Sequence, residues 1–322
     1  GSLSTGFTMA EILLSLTIIG VVAAITLPSL TGNINERTWN TQRKALYARM
    51  SQAIALMPAL NGYGTLDDTT DTAAETFLTD ALSKVLKINN ICDSEHLEDC
   101  GIPTKITPLD LGEGVSTISL SSITTLVGFN SLFNASWNGY NCTSGGYSQL
   151  DTKAAAFETA NGESMLAYYN PYCKPAGVLS EIPSSTNNYS QAFMCANFVY
   201  DMNGSKGPNT VGKDIGFMSV LYSTDSVVVA PVPYVKEAGS TTQVLAGAAC
   251  RNLDEETRLP NREELASFFY NRRLLGVANE YWSSSVAGDS TLAWRVNLST
   301  GLMATLWRNN ESYMRRVRCV KR

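Results

Sequence analysis

The chain has 322 residues, 44% of them apolar, with 24 Lys and Arg against 29 Asp and Glu for a net charge of −5. At roughly 150 residues per domain this suggests about two domains, and the apolar share excludes wholesale disorder. The acidic balance excludes a generally basic nucleic-acid binder, since phosphate affinity comes from clustered Lys and Arg, and one histidine, His96, leaves little scope for zinc or histidine-based catalysis.

From Phe7 to Leu30 the chain runs 24 residues with one charge, Glu11. A helix of about 20 residues spans a bilayer core, so 7–30 is predicted to be membrane-spanning. A secretory signal peptide would begin with a basic region and end at a small-residue cleavage site. Here the basic region is absent and the apolar stretch runs on into more helix. A carboxylate at membrane depth costs about 2.5–3.5 kcal/mol, and no Lys or Arg stands nearby to pair with Glu11. A free α-amine would do so if the chain were cut between Gly6 and Phe7. Past Pro28, residues Trp39, Leu46, Met50, Ala53, Ile54 and Met57 share one helical face, with Glu36, Arg37, Arg43, Lys44 and Gln52 opposite. Pro58, Gly62 and Gly64 end the helix.

Gly6-Phe7-Thr8-Met9-Ala10-Glu11, the apolar run and Pro28 resemble the N-terminus of type IV pilins and type II secretion pseudopilins. The resemblance implies a leader remnant over 1–6, cleavage after Gly6 by a prepilin peptidase, methylation of Phe7 and a Glu11 required for assembly with other pilin subunits. It implies a pilin helix over 7–58 and an inner-membrane stage before assembly, then a place at the bacterial cell surface or in a pilus. The length exceeds that usual for a major pilin, which favours a minor or tip subunit.

The middle of the chain is rich in Ser, Thr, Asn and Gly. A helix is predicted over Thr72–Ile88, on a stripe of Phe77, Leu82, Val85 and Leu86. β-like runs follow at Val115–Leu120, Ser164–Tyr169, Phe193–Tyr200, Gly216–Tyr222 and Ser226–Val232. They resemble the antiparallel sheet that packs on the pilin helix, giving a globular head over 59–232. The seven cysteines contain no Cys-x-x-Cys pair, and export favours disulfides over metal ligation. Cys92 and Cys100 are expected to close a local loop. Cys142, Cys173 and Cys195 leave one thiol unassigned. His96, among Asp93, Glu95, Glu98 and Asp99, reads as part of a solvated acidic loop rather than a zinc site. Asp201, Asn203, Asn209 and Asp214 string oxygen donors through a Gly-rich turn, as calcium loops do. The terminal Glu of an EF-hand is missing, so a calcium site and an Asx-rich turn both stay open. No other cofactor is expected.

A composition break falls near residue 230: residues 233–322 carry 13 basic and 9 acidic side chains, the rest 11 and 20. Thr241–Leu253 is predicted helical and contains Cys250. Asn261 with Glu264 three residues on reads as a capping box, and Leu265, Phe268 and Phe269 form the apolar face of the helix that follows. Leu292–Leu298 alternates, with Trp294, Val296 and Leu298 on one face, Ser299-Thr300-Gly301 turns, and Leu302–Trp307 returns. Arg258-Leu259-Pro260, Glu264-Leu265, Tyr281-Trp282-Ser283-Ser284, Ala293-Trp294 and Arg318-Cys319-Val320 resemble C-type-lectin-like modules, including the variable proteins of diversity-generating retroelements. They are distantly similar to formylglycine-generating enzymes.

The resemblance implies a lectin-like α+β domain over 233–322, with Trp282 and Trp294 in its core. It also implies a Cys250–Cys319 disulfide, worth about 4 kcal/mol in the chain-entropy account. It implies a binding face, open to diversification, on Asp289, Ser290, Arg295, Thr305, Trp307, Arg308, Asn309, Asn310, Ser312, Tyr313 and Arg315. Trp, Tyr and Arg are the usual anchors of binding sites, and Asn and Ser supply adaptable hydrogen bonds. The Glu-Pro-Asn and Gln-Pro-Asp triplets of calcium-dependent sugar lectins do not occur. No enzyme activity is expected, because formylglycine chemistry needs reactive thiols and these two cysteines read as a disulfide. The expected fold class is α+β: a long N-terminal pilin helix on an antiparallel sheet, then the lectin-like domain. The expected role is a pilin displaying a module that binds an extracellular protein or glycan. The alternative is a structural pseudopilin with the module as a filament cap.

Overall fold

The computed structural model describes residues 9–57, 70–109, 116–129, 152–170, 189–190, 193–223, 226–231, 235–276, 279–288, 290–299 and 303–321. It is a mixed α+β protein whose sheets are predominantly antiparallel. The chain divides into two compact units, Gly1–Lys44 and Ala45–Arg322, with the division inside helix α1 (Met9–Leu56, 48 residues).

In the first unit the Thr17 hydroxyl donates to the Leu13 carbonyl at 2.7 Å, which satisfies a polar side chain inside an apolar helix. Among the described residues no helix is long and apolar enough to cross a membrane. The membrane-spanning half expected over 7–30, and the inner-membrane and cell-surface location drawn from it, are therefore withdrawn. The apolar run belongs to one continuous helix that carries Glu11 within it and passes into the charged residues from Glu36 to Arg49. Gly6 and Phe7 lie outside the described residues, as does the Glu11 side chain. Arg43, expected on the polar side, is buried. It continues the spacing of four and three that links Trp39, Leu46, Met50, Ala53 and Met57, so it falls in the stripe rather than opposite it.

In the second unit Leu46, Met50, Ala53, Ile54 and Met57 are all buried, and Arg49 pairs with Glu163. The helix expected over 72–88 is shorter and irregular. It starts as α2 (Ala73–Thr76), widens to a π turn over Phe77–Ala81 and tightens to a 3-10 turn over Leu82–Lys84. The hydroxyls of Thr79 and Ser83 bond the carbonyls four residues back, a competition that distorts helices. Phe77, Leu78, Ala81 and Leu82 are nonetheless buried.

Six strands form the first sheet: β1 (Ile88–Cys92), β2 (Ala155–Thr159), β3 (Ser164–Tyr169), β5 (Phe193–Asp201), β6 (Ile215–Ser223) and β7 (Ser226–Pro231), in that order and all antiparallel. The two-residue β4 (Tyr189–Ser190) belongs elsewhere. Of the run expected as a strand over Val115–Leu120, Val115 lies outside the described residues, and the described part supplies a bridge from Ile118 to Ile106, with Leu120 turned into the core. Every residue of β3 is buried, because both faces of the sheet are covered. Phe77 stacks on Tyr169 at 4.4 Å, while Leu166, Tyr168 and Leu221 enter the main core with Leu265, Phe268 and Phe269 of helix α5 (Arg262–Tyr270). Each such large side chain contributes roughly 1.5–3 kcal/mol on burial.

The second sheet runs β4–β12–β11–β10–β13–β8, with β9 (Thr257–Arg258) also on β13. Its members are β8 (Val235–Thr241), β10 (Glu280–Val286), β11 (Leu292–Asn297), β12 (Met303–Trp307) and β13 (Arg315–Lys321). Only β10 and β13 are parallel among these pairings. Along β11 and just past it, Val296, Leu298 and the partly buried Trp294 face the main core. Ala293 faces a second cluster with Trp282, Val317, Cys319 and, on helix α4 (Gln243–Leu253), Ala246 and Cys250. Helices α5 (Arg262–Tyr270) and α6 (Arg272–Leu275) follow α4, and a short α3 (Leu126–Phe129) packs into the main core. The expected capping box is present at the start of α5, where Asn261 accepts from the Glu264 N–H and Glu264 accepts from the Asn261 N–H. Arg258 then grips Glu264 with both guanidinium ends at 2.8 and 2.6 Å.

The composition break near 230 does not separate two cores. Strand β4 pairs with β12, and α5 packs into the core of the first sheet. At that seam Asn197 of β5 and Asn271 exchange two amide hydrogen bonds at 2.9 Å. The Ser219 hydroxyl donates to Asn197 at 2.6 Å and meets the Ser267 hydroxyl at 2.8 Å. All four residues are fully buried.

Candidate functional site

Of the face expected to bind a ligand, the part around the end of β12 is the most open. Trp307 lies opposite Leu292 and is 50% exposed. The next residue, Arg308, is tied down at four points. Its N–H donates to the Thr291 carbonyl and its carbonyl accepts from Val244. Its guanidinium donates to the Ser290 carbonyl at 2.9 Å and to the Gln243 side chain at 2.7 Å. Gln243 is buried and also donates to the Ser283 carbonyl at 3.1 Å, so one amide joins α4, β10 and the segment that follows β12. Asn310 caps the short turn Glu311–Tyr313 by accepting from the Ser312 N–H. Asn309 and Ser312 are exposed, Tyr313 and Thr305 half-buried, and Asp289 lies outside the described residues.

Arg295 and Arg315, also expected on this face, both pair with Glu280. Burial pushes the Glu280 carboxyl up, but Arg295 and then Arg315 outweigh it and hold it below the usual carboxylate range. The three arginines of the expected face are thus braces within the sheet. Trp307, Asn309, Ser312 and Tyr313 remain as outward groups. Sequence reasoning missed Gln243 and Glu280, which position the face, and the exposed apolar residues Val244, Val286 and Met314. Two of these are tied to the Trp307 region: Val244 donates to Arg308, and Val286 pairs with Ala293 beside Leu292. Their signal was weak, because an apolar residue in a strand or helix reads as core until the partner side is known.

The two tryptophans expected in the core differ in burial. Trp282 is fully buried and donates its indole N–H to the Thr241 carbonyl at 2.9 Å. Trp294 is partly buried beneath the Arg262 guanidinium, 5.1 Å from its ring centre. The Cys250–Cys319 and Cys92–Cys100 disulfides are both formed. Cys195 is disulfide-bonded, while Cys142 and Cys173 lie outside the described residues. His96 is exposed and pairs with Asp93 at 2.8 Å.

The loop from the end of β5 to the start of β6 brings Asp201, Asn203, Asn209 and Asp214 together. The register pairs Asp201 with Ile215, and the Met202 N–H donates to the Asp214 carbonyl. Asp214 takes the N–H groups of Asn209 and Thr210, each at 2.8 Å. Asp201 takes the Asn203 N–H at 3.0 Å, and the Asn203 amide donates to the Gly207 carbonyl at 2.8 Å. Gly207 sits at φ 73°, ψ 163°, a conformation essentially reserved for glycine, and Asn209 adopts φ 50°, which Asn tolerates better than most residues. Burial, reinforced by the neighbouring charge of Asp214, pushes the Asp201 carboxyl up to about 7 against the pull of the Asn203 N–H. Among the described residues no group of three or more His, Cys, Asp or Glu side chains is arranged to hold a metal ion. This loop offers two carboxylates with amide oxygens between them.

No protein-family model matches the chain, and no curated protein does.

Proposed function

We propose that the chain is a filament subunit of the type IV pilin kind whose C-terminal module has a C-type-lectin-like fold and binds a protein or glycan ligand. The observation that carries this reading is Trp307, a large aromatic held half in solvent at the end of a braced strand. Around it the scaffold is fixed by the Cys250–Cys319 disulfide, the buried Trp282 and the Gln243–Arg308 clamp. A rigid frame with an exposed aromatic anchor and adaptable Asn and Ser groups lowers the ordering cost of binding. The filament half rests on the Gly6–Glu11 sequence and on the 48-residue helix α1 that follows it. Repetition along a filament would convert weak contacts into avidity.

The test has two arms. The full chain and its Trp307→Ala variant are titrated against glycan and protein panels, and codons 280–322 are sequenced across one population of cells. Loss of binding in a folded Trp307→Ala chain supports the reading. Substitutions confined to positions such as Asp289, Trp307, Asn309 and Tyr313, with Trp282, Trp294 and Cys319 constant, extend it to a diversified face. Uniform codons together with no ligand would instead leave a structural pseudopilin whose C-terminal domain caps the filament.

A further inference from the structure

The loop between β5 and β6 gathers several buried acceptor oxygens with no donor to answer them. Three of its oxygens, Asp201 Oδ2, Asn203 Oδ1 and Asn209 Oδ1, are buried without a hydrogen-bond partner. Asp201 itself is 1% exposed and Asp214 0%. A buried acceptor without a donor costs about 1–3 kcal/mol, more if charged.

We propose that this loop binds one hard divalent cation of the calcium type through Asp201, Asn203 and Asn209. Calcium takes oxygen ligands only, accepts mixed carboxylate and amide oxygens, and tolerates irregular geometry. A cation answers all three unpartnered acceptors at once, and it offsets the charge of two neighbouring buried carboxylates, which added hydrogen-bond donors would not do. Asp214 acts as the organiser. By holding the Asn209 and Thr210 N–H groups it turns the loop back so that Asn209 stands near the Asp201 end. Backbone bonds between Thr107 and both Asn209 and Val211 tie the loop to a second segment, so a bound ion would stiffen that joint. The inference does not depend on the ligand-binding reading of the C-terminal module.

The experiment uses the full chain, stripped with EGTA and titrated calorimetrically with calcium chloride and, separately, magnesium chloride. With two carboxylates in the loop, the expected dissociation constant lies in the range of about 10⁻⁴–10⁻³ M. Magnesium should bind at least tenfold more weakly, because it demands near-ideal octahedral geometry. At calcium 100-fold above that constant, Tm should rise by about 5 °C. Asp201→Asn and Asn209→Gly, the second chosen to keep the positive φ, should each weaken binding at least tenfold. If Asp201→Asn fails to fold by circular dichroism, Asn203→Ala takes its place. Neither heat nor a Tm shift with the unaltered chain would overturn the proposal and leave buried water as the partner of these oxygens. Binding that survives both substitutions would overturn it as well, by moving the site elsewhere.

Discussion

Two pairs of asparagines, one fully buried and one partly buried in the loop that follows β5, are treated in opposite ways. At the seam Asn197 and Asn271 satisfy each other reciprocally, with Ser219 and Ser267 completing the set. A few residues on, Asn203 and Asn209 each keep a buried oxygen without a donor. The first arrangement is closed and needs nothing from outside. The second is open and asks for a ligand. Residue type is shared, and in both pairs the amide oxygen is out of solvent; the count of unanswered acceptors is what differs.

The largest expected effect tests the closed pair. Asn271→Ala leaves the Asn197 amide and the Ser219 hydroxyl short of partners, so unfolding by denaturant should report a loss of about 2–4 kcal/mol. The loss should be the same with and without calcium. The Asn197→Ala, Asn271→Ala double variant should lose less than the sum of the two singles, since each single strands the other amide. A sum that is simply additive would mean the pair is not a unit. The open pair should behave differently: in EGTA, Asn203→Ala should cost less than about 1 kcal/mol, and the gap to the unaltered chain should widen only when calcium is added.

A smaller effect concerns the braces of the second sheet. The Glu280 carboxyl lies below its ordinary value of 4.5 in the folded chain. A depressed carboxylate contributes stability that is present above its unfolded value and lost as pH falls through the folded one. Stability should therefore decline below about pH 4.5, and Glu280→Gln should flatten that part of the pH profile. A variant with an unchanged profile would remove the arginine bridge as a brace. The smallest expected effect is at Trp307, where Ala should change stability by no more than about 0.5 kcal/mol while abolishing ligand binding. A large loss of stability would make Trp307 a packing residue and count against the proposed face.

Much of the local structure was legible because local chemistry specifies it. Asn261 and Glu264 formed the expected capping box, and the strands over Ser164–Tyr169 and Phe193–Tyr200 lie where their apolar runs fall. Cys92 and Cys100, eight residues apart, are bonded. The failures came where partners remote in sequence decide. The stripe of Phe77 and Leu82 read as one regular helix, yet serine and threonine back-bonding and packing on Tyr169 reshaped it. Arg43 was assigned by its charge to the wrong side of its helix, although its spacing put it in the buried stripe. Arg295, Arg308 and Arg315 looked like ligand anchors because Arg is common at binding sites, but their acceptors Glu280 and Gln243 lie 15 to 65 residues away.

For the oxygen-rich loop, the sequence by itself supplied the donors and their spacing, because Asp, Asn and Gly in that order constrain a short turn locally. It left open whether the donors turn inward or cap strands. Only the tertiary structure decided that Asp201 and Asp214 meet under cover, since the β5–β6 register and the anchoring on Thr107 set the two ends of the loop together. The same division holds for the chain as a whole. Periodicity and capping determine elements over a turn or two, whereas burial, and with it which polar groups go unanswered, is a property of contacts between elements far apart in sequence.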